Sequence, residues 1–251
     1  MTWDMIIGID CATAPEKTGL ALARPAADGW RLEAAQSGRD VAPAEQLLEW
    51  LSGTERPLLC LDAPLGWPLA MGQLLEGHRA GEGMTADADR LFHRQCDDFI
   101  QARTGCRPME VGANFIARTA LSALKLLAEV RERSDRRLPL LWHHEAGDDG
   151  GVIEVYPAAT LRMHGLPWRR YKPAAALDLR DSLIEGWSAQ LIPPAEHSPA
   201  RQAMRAQADV LDAAHCVLAG VDFIHGQAMP PPRLSDDLGV EGWIWTRRAE
   251  E

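Results

Sequence analysis

The stretch Met5-Ile6-Ile7-Gly8-Ile9-Asp10 determines the fold of this chain, because it is a short apolar run that ends in an aspartate. A second stretch, Leu58-Leu59-Cys60-Leu61-Asp62, repeats the pattern. Apolar runs of this length between turn formers predict buried strands. A carboxylate at the carboxyl end of such a strand lies where α/β sheets bind their ligands. If the two strands are neighbours, their aspartates predict a metal site.

Three strands are predicted at the start of the chain, and short, turn-rich links between them favour an antiparallel meander. They cover residues 5–11, 18–24 and 30–37. Residues 43–50 then have apolar side chains at helical spacing. The strand that ends at Asp62 follows this helix, so the crossover is long enough for it to lie parallel to the first strand.

The rest of the chain predicts further helices, loops and one strand. The helices cover residues 87–103, 114–133, 173–190 and 199–220, the loops 65–83 and 192–194, and the strand 152–156. Residues from about 65 to 150 are interpreted as a helical insertion in a single domain that spans residues 1–251. We therefore expect an α/β fold: an antiparallel three-strand meander and then parallel strands in one mixed sheet, flanked by helices.

Composition limits the classes of function. The chain has 251 residues, of which 46% are hydrophobic, and a net charge of −10. This negative charge disfavours binding of the whole protein surface to the phosphate backbone of nucleic acid, so any such contact must come from local basic patches. Five widely spaced cysteines favour reduced thiols over a disulfide framework. Because neither a secretory signal nor a membrane span is evident, we expect a cytoplasmic protein without a membrane partner.

A late helix supplies further carboxylates. Residues 208–219 are apolar nearly all round, which predicts a helix packed into the protein, yet Asp209 and Asp212 stand within it. Taken singly, each aspartate has another explanation: Asp10 and Asp62 could organise turns, and Asp212 could pair with an arginine. Taken together, such a cluster predicts a divalent cation, Mg²⁺ or Mn²⁺, which offsets the mutual repulsion of the carboxylates.

The order of these elements is similar to the ribonuclease H-like fold, and Asp-x-x-Asp on the late helix resembles the Holliday-junction resolvase branch. Short motifs in this order resemble the predicted nucleases of domain-of-unknown-function family 429. They are Ile9-Asp10, Leu61-Asp62-Ala63-Pro64-Leu65-Gly66, Arg94-Gln95-Cys96-Asp97, Glu154-Val155-Tyr156-Pro157 and Asp209-Val210-Leu211-Asp212-Ala213.

The resemblance implies a metal-dependent nuclease in which Asp10 is the central metal ligand, Asp62 the second, and Asp212 or Asp209 the third. Many ribonuclease H-like nucleases have a glutamate at the second position, so the shorter Asp62 would shift one metal. The implied chemistry is two-metal hydrolysis of a phosphodiester, with metals about 3.5 to 4 Å apart. DNA, RNA and a small phosphoester all stay open as the substrate.

Two alternative roles are open for each of three other residues of the motifs. Strand alternation alone predicts that Glu154 faces solvent, whereas the resemblance makes it a fourth catalytic carboxylate or a partner of Arg94. Arg94 and Asp97, three residues apart on a helix, form either an exposed ion pair or a support behind the metal ligands.

Basic residues near aromatic ones are candidates for substrate binding. Trp168-Arg169-Arg170-Tyr171-Lys172 has the composition that stacks bases and follows phosphates, although an anchored surface loop explains it equally well. Lys17 is a further candidate for substrate binding.

Two other functions compete with the nuclease. Residues 8–13 and 17–19 resemble the first phosphate loop of sugar kinases and actin-like ATPases, which would make the chain a nucleotide-binding phosphotransferase. Those proteins need a second core, for which 251 residues leave little room. The other alternative is a binding module that kept the fold without catalysis, although the intact Asp10, Asp62 and Asp212 argue against it.

Overall fold

The computed structural model describes residues 2–112, 114–187 and 191–249. Within these ranges seven strands form one sheet. The strands are β1 (Met5–Asp10), β2 (Gly19–Ala26), β3 (Gly29–Ser37), β4 (Pro57–Asp62), β5 (Gly151–Val155), β6 (Leu191–Ile192) and β7 (Ile244–Trp245). Their order across the sheet is β6-β3-β2-β1-β4-β5-β7.

Helices connect and cover these strands. They are α1 (Pro43–Leu51), α2 (Leu69–Leu75), α3 (Ala88–Phe92), α4 (Gln95–Thr104), α5 (Asn114–Ser134), α6 (Pro157–Met163), α7 (Leu177–Glu185), α8 (Pro199–Ala206), α9 (Ala208–Ile224) and α10 (Asp236–Glu241). None of the helices in the described ranges is long and apolar enough to cross a membrane.

The pairing of the strands confirms the predicted mixed sheet. β1, β2 and β3 form an antiparallel meander, and β4 lies parallel to β1 after the crossover through α1. β5 and β7 continue the parallel half. The α/β class and the change from antiparallel to parallel strands are therefore as expected.

The two faces of the sheet are buried by different helices. Met5, Ile7 and Ile9 of β1 share a core with apolar residues of α1 and α5. Ile6 belongs to the core on the other face, which contains most of α9. This division follows from the alternation of side chains along a strand. Because Asp10 is in phase with Ile6 and Gly8, its side chain lies on the α9 face.

α9 packs unusually close to the sheet, and two glycines permit it. A Cβ atom at Gly8 would lie 1.9 Å from the carbonyl oxygen of Ala213, and one at Gly19 would lie 2.0 Å from that of Asp209. Real Cβ atoms do not approach backbone oxygens so closely, so any larger residue would push the helix away. The glycines therefore set the distance between the ends of the strands and the first turns of α9.

Several predicted boundaries were wrong. The predicted loop 65–83 contains α2, and the two-residue strand β6 includes Ile192 from the predicted loop 192–194. The predicted helix 173–190 forms only over Leu177–Glu185, and its last three residues lie outside the described ranges.

Two predicted helices are each divided into two. The helix predicted over 87–103 is interrupted at His93 and Arg94. The backbone of Arg94 is extended, and this residue is the N-cap of α4. The helix predicted over 199–220 is interrupted at Gln207, which is also extended, with φ −128° and ψ 121°. Four helices lie between β4 and β5 in the described chain; that this segment is an insertion in a single domain stays a prediction.

Candidate metal centre

Asp10 and Asp62 lie side by side at the carboxyl ends of β1 and β4. The two residues are register partners in the parallel pair, so their Cα atoms are about 4.8 Å apart. Both belong to the alternating set that faces α9. The strands therefore bring the two aspartates together as the sequence predicted.

The first turns of α9 face these strand ends. Asp212 is fully buried, whereas Asp209, one turn earlier, is exposed. Asp10, Asp62 and Asp212 are close enough that the charge of each carboxylate affects the pKa of another. Of the two aspartates that the sequence left as alternatives, Asp212 is the one that lies inside the cluster.

Three side chains hold Asp212. The Tyr171 hydroxyl donates a hydrogen bond of 2.6 Å to Oδ1. His215 Nδ1 lies 3.3 Å from the same oxygen, and it carries the proton because an ionised carboxylate only accepts. The Lys172 ammonium lies 2.7 Å from Oδ2. Oδ1 of Asp212 is therefore hydrogen-bonded, whereas the buried Oδ2 has the ion pair with Lys172 but no hydrogen bond within the described residues.

The carboxyl groups differ in their acidity. Burial, together with the charges of Asp212 and Asp62, raises the pKa of Asp10 well above its usual value. Burial and the charge of Asp212 raise the pKa of Asp62 to about 7. Burial also acts to raise the pKa of Asp212, but His215 and Lys172 outweigh it and lower that pKa. Without a bound cation, Asp10 and Asp62 therefore hold their protons more strongly than a free aspartate does.

The raised pKa of Asp62 predicts that the metal-free protein loses stability as the pH rises. In the unfolded chain Asp62 releases its proton near pH 3.8, whereas in the folded protein it keeps the proton until about pH 7. Between these values the folded state binds more protons, so the free energy of unfolding falls with increasing pH. Urea unfolding in EDTA from pH 4 to pH 8 measures this slope.

Asp62→Asn removes the titrating group, and its free energy of unfolding should fall less steeply than that of the wild type. The matched control is Asp28→Asn, in the exposed turn between β2 and β3 at the opposite end of the sheet, which should keep the wild-type slope. Parallel pH profiles for the wild type and Asp62→Asn would contradict the raised pKa.

Arg94, Asp97 and Glu154 form a separate buried ion-pair network. The Arg94 guanidinium donates to both oxygens of Glu154, at 2.7 and 2.9 Å, and to both of Asp97, at 2.9 and 3.1 Å. Glu154 also accepts a 2.9 Å hydrogen bond from the backbone N–H of Leu65. Because Leu65 lies three residues after Asp62, the network holds the loop that follows this aspartate.

This geometry corrects the prediction from alternation that Glu154 faces solvent, since the side chain is only 3% exposed. Glu154 is the register partner of Leu61, so it lies on the opposite face of the sheet from Asp62. Arg94 and Asp97 are likewise a buried pair and not an exposed one. The structure brings Glu154 to Arg94, as one of the two alternatives from the resemblance expected.

A cavity of about 360 Å³ opens over the cluster, and its lining includes Asp10, Asp62, Asp212, Tyr171, Lys172 and Trp168. The Arg169 guanidinium stacks on the Trp168 ring, 3.7 Å from its centroid. Arg169 and Arg170 are exposed. Lys17 is also exposed, and its charge opposes the rise that burial causes in the pKa of Asp209. Of the basic candidates, Lys172 lines the cavity and Arg169 lies on the ring of Trp168 in the same lining.

The donor atoms suit a hard cation, since carboxylate oxygens are the ligands of Mg²⁺ and Mn²⁺. The fit is partial, however. In the described parts of the chain no group of three or more His, Cys, Asp and Glu side chains is arranged to hold a metal ion. At Asp212, Oδ1 is bonded to Tyr171 and His215, and the Lys172 ammonium lies 2.7 Å from Oδ2. Asp10 and Asp62 are the pair that fits one cation.

Residues 8–235 match the model of the family described as protein of unknown function (DUF429). The chain belongs to this family. The match includes Asp10, Asp62, Asp209 and Asp212, and it confirms the resemblance at the level of family 429. No curated protein matches the chain.

Sequence reasoning missed three residues that shape the site of this family 429 chain. Tyr171 was predicted only as an aromatic of the base-stacking segment, and its bond to Asp212 was not expected. His215 was not predicted, although it follows Asp212 by one helical turn on an apolar helix, which is a usable signal. Arg180 was also missed; its buried guanidinium binds the carbonyl oxygens of Tyr171 and Lys172, each at 2.8 Å. No signal in the sequence points to that contact, because an arginine on a predicted helix is normally exposed.

Proposed function

We propose that this protein is a divalent-metal-dependent phosphodiester hydrolase, a nuclease. The observation that carries the proposal is the register of Asp10 with Asp62 beside the buried Asp212, beneath an open cavity. Buried carboxylates without compensating charge are costly in a folded protein unless a ligand binds them. Perturbed carboxylates in a cleft are a recognised sign of a functional site.

The proposed reaction forms a bond from a water oxygen to phosphorus and breaks one phosphorus–oxygen ester bond, and the leaving oxygen takes up a proton. A bound Mg²⁺ or Mn²⁺ supplies Lewis acidity and lowers the pKa of water. Asp10 and Asp62 would hold the cation. Lys172, Arg169 and Arg170 place positive charge around the cavity and attract the phosphate backbone.

We also propose that the chain has the ribonuclease H-like fold. Support comes from the antiparallel meander, the crossover to a parallel strand that ends in Asp62, and the later helix that carries Asp212. We propose nucleic acid as the substrate, because the aromatic and basic segment around Trp168 lies beside the acidic centre. The acidic net charge keeps a small phosphoester as a second possibility for the substrate.

The experiment that tests this function is hydrolysis by the purified protein with Mg²⁺, with Mn²⁺ and with EDTA. The substrates are single-stranded and duplex DNA, a four-way DNA junction, single-stranded RNA and bis(p-nitrophenyl) phosphate. We expect cleavage that requires the metal. Mn²⁺ binding without cleavage of any substrate would favour the non-catalytic binding module, and absence of both binding and cleavage would refute the hydrolase.

Arg169 and Arg170 are expected to act in substrate binding and not in the chemical step. Replacing both by alanine should raise KM for single-stranded nucleic acid with little change in kcat. Each lost phosphate contact should also reduce the slope of log affinity against log salt by about 0.7. Steady-state kinetics at several salt concentrations measure both effects.

The matched control removes the same charge from the other end of the sheet. Arg24 and Arg31 are cross-strand partners in the β2–β3 pair, and their double alanine variant should leave KM and the salt dependence unchanged. If kcat instead of KM changes in the Arg169 and Arg170 variant, these residues do not act as predicted.

One observation favours a second candidate, the nucleotide-binding phosphotransferase. A separate cavity of about 330 Å³ lies beside the turn that follows β1, and Thr13, Thr18 and Lys125 are in its lining. This turn is the stretch that resembles a phosphate loop. Saturable binding of a fluorescent ATP analogue, with ATP-dependent phosphorylation of a small molecule, would support this candidate against the nuclease.

A further inference from the structure

Lys172 has an unusual position, with an exposed stem and a charged end inside the carboxylate cluster. Its side chain is 64% exposed, while its partner Asp212 is 0% exposed. Lys172 lines the same cavity as Asp10 and Asp62, and its charge opposes the rise that burial causes in the pKa of both groups. One cation from the protein therefore already lies within the centre that the aspartates form.

The backbone of this lysine is fixed. Arg180 is buried, and it donates hydrogen bonds to the carbonyl oxygens of Tyr171, Lys172 and Pro173 at 2.8, 2.8 and 3.1 Å. The hydroxyl of Tyr171 is bonded to Asp212 at 2.6 Å. The backbone on both sides of the Lys172 Cα is therefore held by hydrogen bonds. A lysine in a mobile surface loop would not have its backbone fixed in this way.

The contacts of Asp212 leave little room for a metal ion. Tyr171 and His215 are bonded to Oδ1, and the Lys172 ammonium lies 2.7 Å from Oδ2 as an ion pair without the geometry of a hydrogen bond. A divalent cation on a remaining lone pair of Oδ2 would lie about 5 Å or less from the ammonium, and the two positive charges would repel each other. Asp10 and Asp62, by contrast, form no ion pair among the described residues, and the carboxyl that is hydrogen-bonded to Asp62 is that of Asp10.

The choice of lysine instead of arginine at position 172 is also informative. Of the 26 Lys and Arg residues only three are lysines: Lys17, Lys125 and Lys172. An ammonium is a compact point charge that resembles a small cation, whereas a guanidinium is a planar fork that matches a carboxylate with two parallel hydrogen bonds. In a chain that otherwise uses arginine, the lysine at this point provides the compact charge.

We propose that Lys172 takes the place of a second metal ion, so that the centre uses one divalent cation at Asp10 and Asp62 and the ammonium at Asp212. This inference rests on the proposed function and deepens it. It replaces the two-metal arrangement that the family resemblance implies. Arg180 and Tyr171 are then positioning residues, because they act by holding Lys172 and Asp212.

The test counts the Mn²⁺ ions that bind to each folded protein, by isothermal titration and by electron paramagnetic resonance of free Mn²⁺. The wild type should bind one Mn²⁺ per chain, and Lys172→Met, which keeps the length of the side chain without its charge, should bind two. Lys172→Arg keeps the charge and should bind one. Arg24→Met, which removes a charge paired with Glu33 at the other end of the sheet, is the matched control and should also bind one.

Two ions in the wild type, or one in Lys172→Met, would overturn the inference and leave the metal-dependent hydrolase standing. Absence of Mn²⁺ binding in the wild type up to millimolar concentration would overturn both proposals together. Because the Lys172 side chain is largely exposed, thermal unfolding of Lys172→Met in the presence of Mn²⁺ should match that of the wild type, which separates a change in binding from a loss of fold.

Discussion

Asp10→Asn is expected to reduce metal-dependent hydrolysis by about 10³-fold or more. A bound cation stabilises the charge of the transition state by several kcal/mol, and each 1.4 kcal/mol corresponds to about a tenfold change in rate. Asparagine has nearly the same shape as aspartate but lacks the charge that holds the cation against Asp62. The measurement is the initial rate of cleavage at saturating Mg²⁺, with Mn²⁺ binding measured on the same preparation.

This variant should remain folded, because it replaces a carboxyl group whose ionised form is unfavourable in the metal-free protein. Burial and two neighbouring carboxylates raise the pKa of Asp10, so its ionised form is unfavourable in the absence of metal. In EDTA at pH 8 the free energy of unfolding of Asp10→Asn should therefore equal or exceed that of the wild type. Asp28→Asn is the control with unchanged activity, and a normal rate for Asp10→Asn would refute the metal centre.

The strands of the sheet could be predicted because each is encoded by a short, continuous stretch of sequence. The apolar runs before Asp10 and Asp62 identify two buried strands, and the helix between them requires a crossover and hence a parallel pair. The helix boundaries were less predictable. Pro157 ends β5 as expected, but it also begins α6, since proline is favourable in the first turn of a helix. The break at Arg94 depends on its bonds to Asp97, which no propensity describes.

The site was predictable to the extent that it depends on strand ends and helix spacing. Alternation along β1 and β4 places Asp10 and Asp62 on one face, and apolar spacing makes Asp212 a buried residue. The contact of Lys172 with Asp212 was not predictable, because the two residues are 40 positions apart and meet only through the fold. The same holds for Glu154, whose burial depends on Arg94 reaching it from another segment.

Arg94→Met is expected to reduce the free energy of unfolding by about 3 to 5 kcal/mol, the largest loss of stability that we predict. Methionine fills much of the space of the arginine side chain, but it leaves the carboxylates of Glu154 and Asp97 without their cationic partner, with one backbone N–H each. These residues are 3% and 1% exposed, so water cannot replace the lost bonds, and removing one partner of a buried ion pair costs about this amount. Urea unfolding at pH 7 measures the loss.

The control for this prediction is an arginine of similar connectivity at the surface. Arg133 contacts Glu45 and Glu129 at 2.8 and 2.9 Å, but its side chain is 39% exposed, so Arg133→Met should reduce stability far less than Arg94→Met does. The triple variant Arg94→Met, Asp97→Asn, Glu154→Gln also removes the two unpaired carboxylate charges. Its free energy of unfolding should lie between those of Arg94→Met and the wild type. A loss for Arg94→Met as small as that for Arg133→Met would mean that the carboxylates find other partners, and that the loop after Asp62 does not depend on this network.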